Sequence, residues 1–271
     1  MALRPISFLS DFGHRDEWVG VCHGVIERIA PGATVIDIAH DLPPTNVPHA
    51  AFVFENAVPF LPAGVLLAVV DPGVGTRRRA VALRSRSGRL LVGPDNGLLW
   101  PAARAAGGAE AAVDLAVSPF RLDSVSATFH GRDVFAPVAA HLALGAALED
   151  AGTSIDPATL TQLDAAAPSA TPGSLRAAVR LVDRFGNVQL QARPADMEAA
   201  ALRQGARVAV AGPAGQQSGV YGETFADAPA REVVVYRDSS GWIAVALNGE
   251  SAAEALGART GASLTVSRCD P

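Results

Sequence analysis

Cysteine is almost missing from this chain. Cys22 and Cys269 stand near opposite ends of 271 residues, which excludes a disulfide framework or a cysteine-rich zinc cluster and fits a reducing compartment. Charge is sparse as well, at 18% of residues, and 22 basic against 27 acidic side chains leave a net charge of -5. A nucleic-acid partner is therefore not expected, since nothing supplies the positive surface that a phosphate backbone needs. The one basic run, Arg77-Arg78-Arg79, reads as a solvated loop or strand start. No apolar run approaches the roughly 18 residues of a membrane span, and the short apolar stretch before Asp11 lacks the layout of a signal peptide. No membrane partner is expected, and the expected location is cytoplasmic.

Cofactor signatures are missing too. No Gly-x-Gly-x-x-Gly follows the first strand, and the glycine-rich Asp71-Pro72-Gly73-Val74-Gly75-Thr76 lacks the lysine and the spacing of a phosphate loop. The six histidines, His14, His23, His40, His49, His130 and His141, form no His-Glu-x-x-His and have no cysteine pair beside them. Neither a bound cofactor nor a catalytic metal is expected.

What is present is apolar and periodic. Hydrophobic residues make up 49% of the chain, enough for a large core in one or two domains. The apolar run at 6–9, the helical spacing of Trp18, Cys22, Val25, Ile26 and Ile29, and the run at 35–38 predict a strand, a helix and a strand. Further strands are expected at 65–70, 81–83 and 90–92, and helices around 50–60 and 134–144. Fully apolar strands between helices imply a sheet covered on both faces. The expected class is α/β: an N-terminal α/β domain over 1–155 with a central, mostly parallel sheet, then a linker over 156–174 where Pro157, Pro168 and Pro172 interrupt regular structure. Short β-like runs at 177–182, 188–191, 207–211, 233–236, 243–247 and 264–266 then predict a smaller, mostly antiparallel barrel-like domain over 175–271.

Three polar, glycine-flanked clusters mark the first half: Ser10-Asp11-Phe12-Gly13, Asp71-Pro72-Gly73-Val74-Gly75-Thr76 and Phe129-His130-Gly131-Arg132-Asp133. The first two follow apolar strands, where an open α/β sheet forms its ligand crevice. Each aspartate can equally be a turn or cap residue. His130 can be a buried, backbone-bonded histidine, but Gly131 beside it suggests close approach of a ligand or water. Asp133 reads as a helix cap and Pro137 as an early-turn residue. In the second half, Asp183-Arg184-Phe185-Gly186-Asn187 reads as a hairpin turn between strands. Trp18, Trp100 and Trp242 read as packing residues.

In order along nearly the whole chain stand Phe8-Leu9-Ser10-Asp11-Phe12-Gly13, Val70-Asp71-Pro72-Gly73-Val74-Gly75-Thr76, Gly93-Pro94-Asp95-Asn96-Gly97, Thr128-Phe129-His130-Gly131-Arg132-Asp133, Asp183-Arg184-Phe185-Gly186-Asn187 and Ala246-Leu247-Asn248. Together they resemble the S-adenosylmethionine hydroxide adenosyltransferases, hydrolase relatives of the fluorinase and chlorinase. The resemblance implies a homotrimer whose sites lie between one subunit's N-terminal domain and its neighbour's C-terminal domain. It implies a catalytic group of Asp71, Arg78 and His130, with Asp11 on the ribose hydroxyls, Asp183 on the methionine ammonium and Ser239 on its carboxylate. Phe185, Asn187 and Phe225 would frame the adenine, and Asn248 joins the substrate-binding set. An acidic residue suits a diol or an ammonium, a hydroxyl suits a carboxylate, and an aromatic face suits a purine.

The implied reaction is attack of water on the ribose C5′ of S-adenosylmethionine, a substrate here and not a cofactor, giving adenosine and L-methionine without a metal. Two other readings stand beside it: a non-catalytic sensor of S-adenosylmethionine or adenosine, and a halide-using 5′-adenosyltransferase. Retention of Asp71, Arg78 and His130 together opposes the sensor. The halogenases carry tyrosine at the position of Asp71 and a halide-holding serine at that of Gly131, so water is the expected nucleophile. Thr45 falls where the fluorinase has a bulky tryptophan, a departure in the ribose wall.

Overall fold

Strands and helices take turns through the first part of the computed structural model, which describes residues 3–163 and 165–269. They are β1 (Ile6–Ser10), α1 (Trp18–Ile29), β2 (Val35–Ala39), α2 (Val47–Ala57), β3 (Val65–Val69), β4 (Ala80–Ser85), β5 (Leu90–Pro94), α3 (Trp100–Ala105), β6 (Ala109–Asp114), α4 (Ala136–Ala143) and β7 (Thr153–Ile155). The seven strands form one sheet in the order β2-β1-β3-β5-β4-β6-β7. The run β2-β1-β3-β5 is parallel, and the pairings of β4, β6 and β7 are antiparallel.

Alternation of side chains along each strand decides what each face of this sheet meets. Val65, Leu67 and Val69 of β3 share a core with Val25 and Ile26 of α1 and Val138 of α4. Leu66 and Ala68 share a second core with Phe54 of α2 and Ala102 of α3. Both faces of β3 are thus dry, which is why the strand has no polar position. The parallel strands end on one edge of the sheet, and the loops that follow β1 and β3 carry Asp11 and Asp71.

The second part contains β8 (Ser169–Thr171), β9 (Ser174–Val182), β10 (Val188–Leu190), α5 (Pro194–Ala199), β11 (Arg207–Gly212), β12 (Gly215–Tyr221), β13 (Val233–Arg237), β14 (Ile243–Leu247), α6 (Ala252–Leu256) and β15 (Ser263–Arg268). Seven of its strands run β10-β14-β13-β12-β11-β15-β9, and a β9–β10 pairing closes the ring into a barrel. Only β12 with β13 is parallel. Closure removes the exposed edges that an open sheet would leave, and the interior is filled by residues such as Leu175, Val188, Val235, Val245 and Leu264.

Contacts divide the chain into Met1–Leu163 and Asp164–Pro271, a boundary inside the stretch 156–174 read as linker. That stretch is more ordered than its composition suggests: Asp156 accepts from Ala158 N to cap a short turn at Pro157–Thr159, and β8 pairs with β9. Strand β6 has the alanine-rich sequence AEAAVD and lies outside the strands expected from the sequence, because its pairing with β4 and not its propensity makes it a strand. Strand β12, GQQSGVY, escaped for the same reason. Among the described residues no helix is long and apolar enough to cross a membrane.

Candidate active site

Asp71, Arg78 and His130, distant in sequence, meet in the first unit. Arg78 Nε donates to Asp71 Oδ1 at 3.0 Å, and its Nη2 donates to Asp71 Oδ2, a bidentate fork of the kind only arginine makes. The same Nη2 lies 3.2 Å from His130 Nδ1. Both members of the ion pair are almost enclosed, with side chains 6% and 7% exposed, and the guanidinium sits 5.4 Å from the centre of the Phe135 ring. Arg78 Nη1 is buried and has no hydrogen-bond partner among the described residues, which leaves one strong donor in the cluster unsatisfied. The run Arg77-Arg78-Arg79 is therefore not the solvated segment expected: Arg78 pairs with Asp71, and Arg79 Nε donates to Asp95 Oδ2 at 2.8 Å.

His130 precedes a π-helical turn, Gly131–Phe135, that runs directly into α4, a local widening that recurs at functional sites. A guanidinium only donates, so Nδ1 of His130 is an acceptor and its neutral ring carries the proton on Nε2. Burial, and then the positive charge of Arg78, hold its pKa below the ordinary imidazole value, so the neutral form dominates at pH 7. Pro137 lies in the first turn of α4, as expected. Asp133 does not cap the helix: it is fully buried, accepts from Ser126 N at 2.8 Å and pairs with Arg132 at 2.5 Å. Nor does Gly131 leave room for a ligand. A Cβ there would meet Phe12 Cζ at 2.8 Å and Phe129 at 3.3 Å, so the missing side chain admits an aromatic ring.

Asp11 lies just past the end of β1, where its Oδ2 accepts from Thr45 N at 2.8 Å. Thr45 has φ of 62°, a strained backbone for a β-branched residue. The Asp11 loop is tied down further by Ser10 Oγ at 2.6 Å from His40 Nδ1 and by Gly13 N donating to His40 O at 2.8 Å. Among the described residues one group has metal-ligand spacing, His23, Asp37 and His40, with both imidazoles within 3.0 Å of Asp37 Oδ1. Burial holds the pKa of His40 below the ordinary imidazole value, and a carboxylate only accepts, so the neutral ring carries its proton on Nε2 toward Asp37 Oδ1 and accepts from Ser10 Oγ–H at Nδ1. The nitrogen facing Asp37 then has no lone pair for a metal.

The remaining expected residues gather in the second unit. Asp183, Phe185, Asn187, Phe225, Ser239 and Asn248 all line one open cavity of about 1260 Å³. Asp183 Oδ1 accepts from Phe185 N and Asn187 N at 2.8 and 2.9 Å, and Oδ2 from Asn187 Nδ2 at 2.8 Å. The hairpin turn read from the sequence is thus built on this carboxylate. Gly186 completes it at φ of 82°, where Gly is favoured. The turn leaves Phe185 68% exposed, and Phe225, in the same lining, is 52% exposed, two apolar rings open to solvent.

Ser239 sits in a turn held by Asp238, a residue outside the expected site set. Asp238 Oδ1 accepts from Ser240 N and Trp242 N, each at 2.9 Å, and its Oδ2 accepts from Gln189 Nε2 at 2.5 Å. Trp242 is a packing residue as expected, with the guanidinium carbons of Arg180 and Arg193 at 3.6 and 3.2 Å from its ring centre. Tyr236 was missed. It lines the same cavity, and burial first, then Asp183 and Asp238, push its phenol up to about 12, so it enters the cavity as a neutral donor. Asn248 Nδ2 donates to Ala228 O at 2.9 Å, supporting the chain just after the turn that carries Phe225. No local motif marks Tyr236, which the barrel register brings to this face, whereas Asp238 organises its turn through main-chain N–H groups two and four residues on, as Asp183 does.

An α/β unit with an enclosed carboxylate–guanidinium pair beside a half-buried imidazole, together with a barrel bearing an aromatic-rimmed cavity, defines a two-part enzyme acting on a small molecule. The chain belongs to the SAM hydroxide adenosyltransferase family: residues 6–152 match its N-terminal domain and residues 177–265 its C-terminal domain. It is 49% identical over 267 residues to the (R)-S-adenosyl-L-methionine hydrolase of Salinispora arenicola, covering 98% of this chain and 99% of that protein. It is 41% identical over 275 residues to the enzyme of that name from Thermus thermophilus, covering 96% and 98%. A fluorinase from Actinopolyspora mzabensis is more distant, 28% identical over 300 residues, with 98% of each covered. The crystal structure of a conserved protein from Thermotoga maritima is similar with a TM-score of 0.90 and 33% identity, covering 97% of this chain and 100% of that one.

Proposed function

We propose that this protein hydrolyses S-adenosylmethionine, in the (R) sulfonium configuration for which its relatives are named, to adenosine and L-methionine. The observation that carries the reading is the enclosed Asp71–Arg78–His130 cluster with its unsatisfied Arg78 Nη1. A sulfonium leaves as a neutral thioether, so no acid is needed for the leaving group. The barrier lies in presenting water in line with C5′ and relieving it of a proton. Arg78 Nη1–H and His130 Nε2–H are donors for the water oxygen, and Asp71 is the anionic acceptor of its proton, because His130 Nδ1 is engaged by Arg78. The oxygen bonds to C5′ as the C5′–S bond breaks, and the electron pair stays on sulfur.

In this reading Asp11 holds the ribose diol. Asp183 meets the ammonium through the remaining lone pairs of its carboxylate, Ser239 meets the methionine carboxylate, and the exposed rings of Phe185 and Phe225, with Asn187, take the adenine. Asn248 braces the Phe225 segment. Each unit carries half of this set, and a homotrimer in which one subunit's N-terminal half works with its neighbour's C-terminal half unites them.

Turnover in ¹⁸O-labelled water is expected to give adenosine labelled at its 5′ hydroxyl and unlabelled methionine. Added chloride or fluoride is expected to have no effect, since Gly131 offers no hydroxyl and Asp71 adds negative charge. A 5′-halo-adenosine as the main product would place the protein with the halogenases, and binding without cleavage would make it a sensor. No step needs a metal, so prolonged EDTA treatment is expected to leave turnover unchanged; loss reversed by zinc or magnesium would refute that.

A further inference from the structure

The Asp95-Asn96 pair, just after β5, takes no part in the chemistry proposed above, yet each of its residues grips the chain next to one catalytic residue. Asn96 Nδ2 donates to the carbonyl of Val70 at 2.9 Å, one residue before Asp71. Asp95 holds Arg79, one residue after Arg78, in two ways: its main-chain N donates to Arg79 O at 2.9 Å, and its Oδ2 accepts from Arg79 Nε at 2.8 Å. We infer that Asp95 and Asn96 are positioning residues that fix both ends of the loop carrying Asp71 and Arg78. The inference rests on the hydrolase reading for its reaction.

The case follows from where the loop is held. Between Val70 and Arg79 the chain has internal turns, with Val74 N donating to Asp71 O and Thr76 N to Gly73 O, but these set its shape and not the placing of its ends. The ends leave from β3 and enter β4, which are not neighbours: β5 lies between them. A dipeptide leaving β5 is therefore the natural place from which to set their separation, and with it the approach of Arg78 to Asp71. The grip is itself rigid. The Asp95 side chain is 4% exposed and its Oδ1 accepts from Thr161 N at 2.7 Å, while Asn96 Oδ1 accepts from Leu98 N at 3.1 Å, which fixes the amide with its NH₂ toward Val70. This gives the Gly93-Pro94-Asp95-Asn96-Gly97 segment a purpose without placing it against substrate.

The isosteric variants Asn96→Asp and Asp95→Asn test this, with Asn96→Ala as a third. Asn96→Asp sets a carboxylate against the Val70 carbonyl, and Asp95→Asn weakens the hold on Arg79. Misplacement of reacting groups by about 1 Å costs on the order of 10²-fold, so kcat per folded enzyme is expected to fall about 10- to 10²-fold, with KM for S-adenosylmethionine within about threefold. Assays run well below each variant's unfolding midpoint, with the folded fraction measured by circular dichroism. A role in folding alone would lower the midpoint and leave kcat per folded molecule within about twofold of the parent; that result, or a change confined to KM, overturns the inference. Wild type and Asp71→Asn are assayed in parallel. If those two differ as the hydrolase reading requires while the Asn96 and Asp95 variants match wild type, the positioning role alone fails. If wild type does not cleave S-adenosylmethionine, both fail.

Discussion

Asp71→Asn and His130→Ala are each expected to lower kcat by about 10²-fold or more while KM stays within roughly tenfold, as befits groups that act on the nucleophile. The asparagine keeps the shape of the carboxylate but can accept only through one oxygen, so one arm of the Arg78 fork faces an NH₂ group. It also removes the anion bonded to a guanidinium whose side chain is 7% exposed. Stripping a buried pair of one partner typically costs about 3–5 kcal/mol of folding stability, so a lower unfolding midpoint is expected with the lost turnover, and kcat is to be taken per folded molecule. His130→Ala leaves the ion pair whole, and its loss of rate therefore reports on the ring itself. Because burial and Arg78 keep His130 below the ordinary imidazole value, its neutral form should persist into mildly acidic solution, and an acid limb of kcat is expected only below about pH 6.5. Near-normal kcat in both variants at saturating substrate would remove the catalytic assignment.

How much of this was legible in the sequence depends on whether the signal was local. Strands β1, β3 and β5 are buried along their whole length and their apolar runs could be read directly, as could the hairpin at Asp183, because one short polar segment carries the turn. Strands β6 and β12 could not, since they owe their form to neighbours distant in sequence. The same division runs through the site. The carboxylates at strand ends and His130 before its glycine announce themselves, whereas the burial of Arg78 is hidden inside a run of three arginines that looks solvated. Gly131 was misread for a related reason: a missing side chain says that something comes close, and only the fold says that it is the ring of Phe12. Tyr236 enters the barrel cavity through register, which no motif encodes.

Co-expression of an Asp71→Asn chain with an Asp183→Asn chain is expected to restore activity that neither has alone. Asparagine is the better substitution at position 183, because Asp183 organises its turn through three N–H donors and alanine would loosen Phe185 and Asn187 along with the charge. Asparagine keeps an oxygen for the two main-chain donors, and the Asn187 amide can flip to meet its NH₂ group; what is lost is the anion opposite the substrate ammonium. A hydrogen bond to a charged group is worth about 1.5–3 kcal/mol, so KM is expected to rise by about 10- to 10²-fold. Assayed well below KM, both parents are then nearly silent. If each site takes Asp71 from one subunit and Asp183 from the next, random assembly from equal amounts gives about one quarter of sites with both residues intact, far above either parent. If one chain supplies both, no site in the mixture is whole and no activity returns. Light scattering on the same preparation is expected to give the mass of a trimer of 27.8 kDa chains. Absence of recovery from a preparation shown to contain mixed oligomers would rule out the shared site.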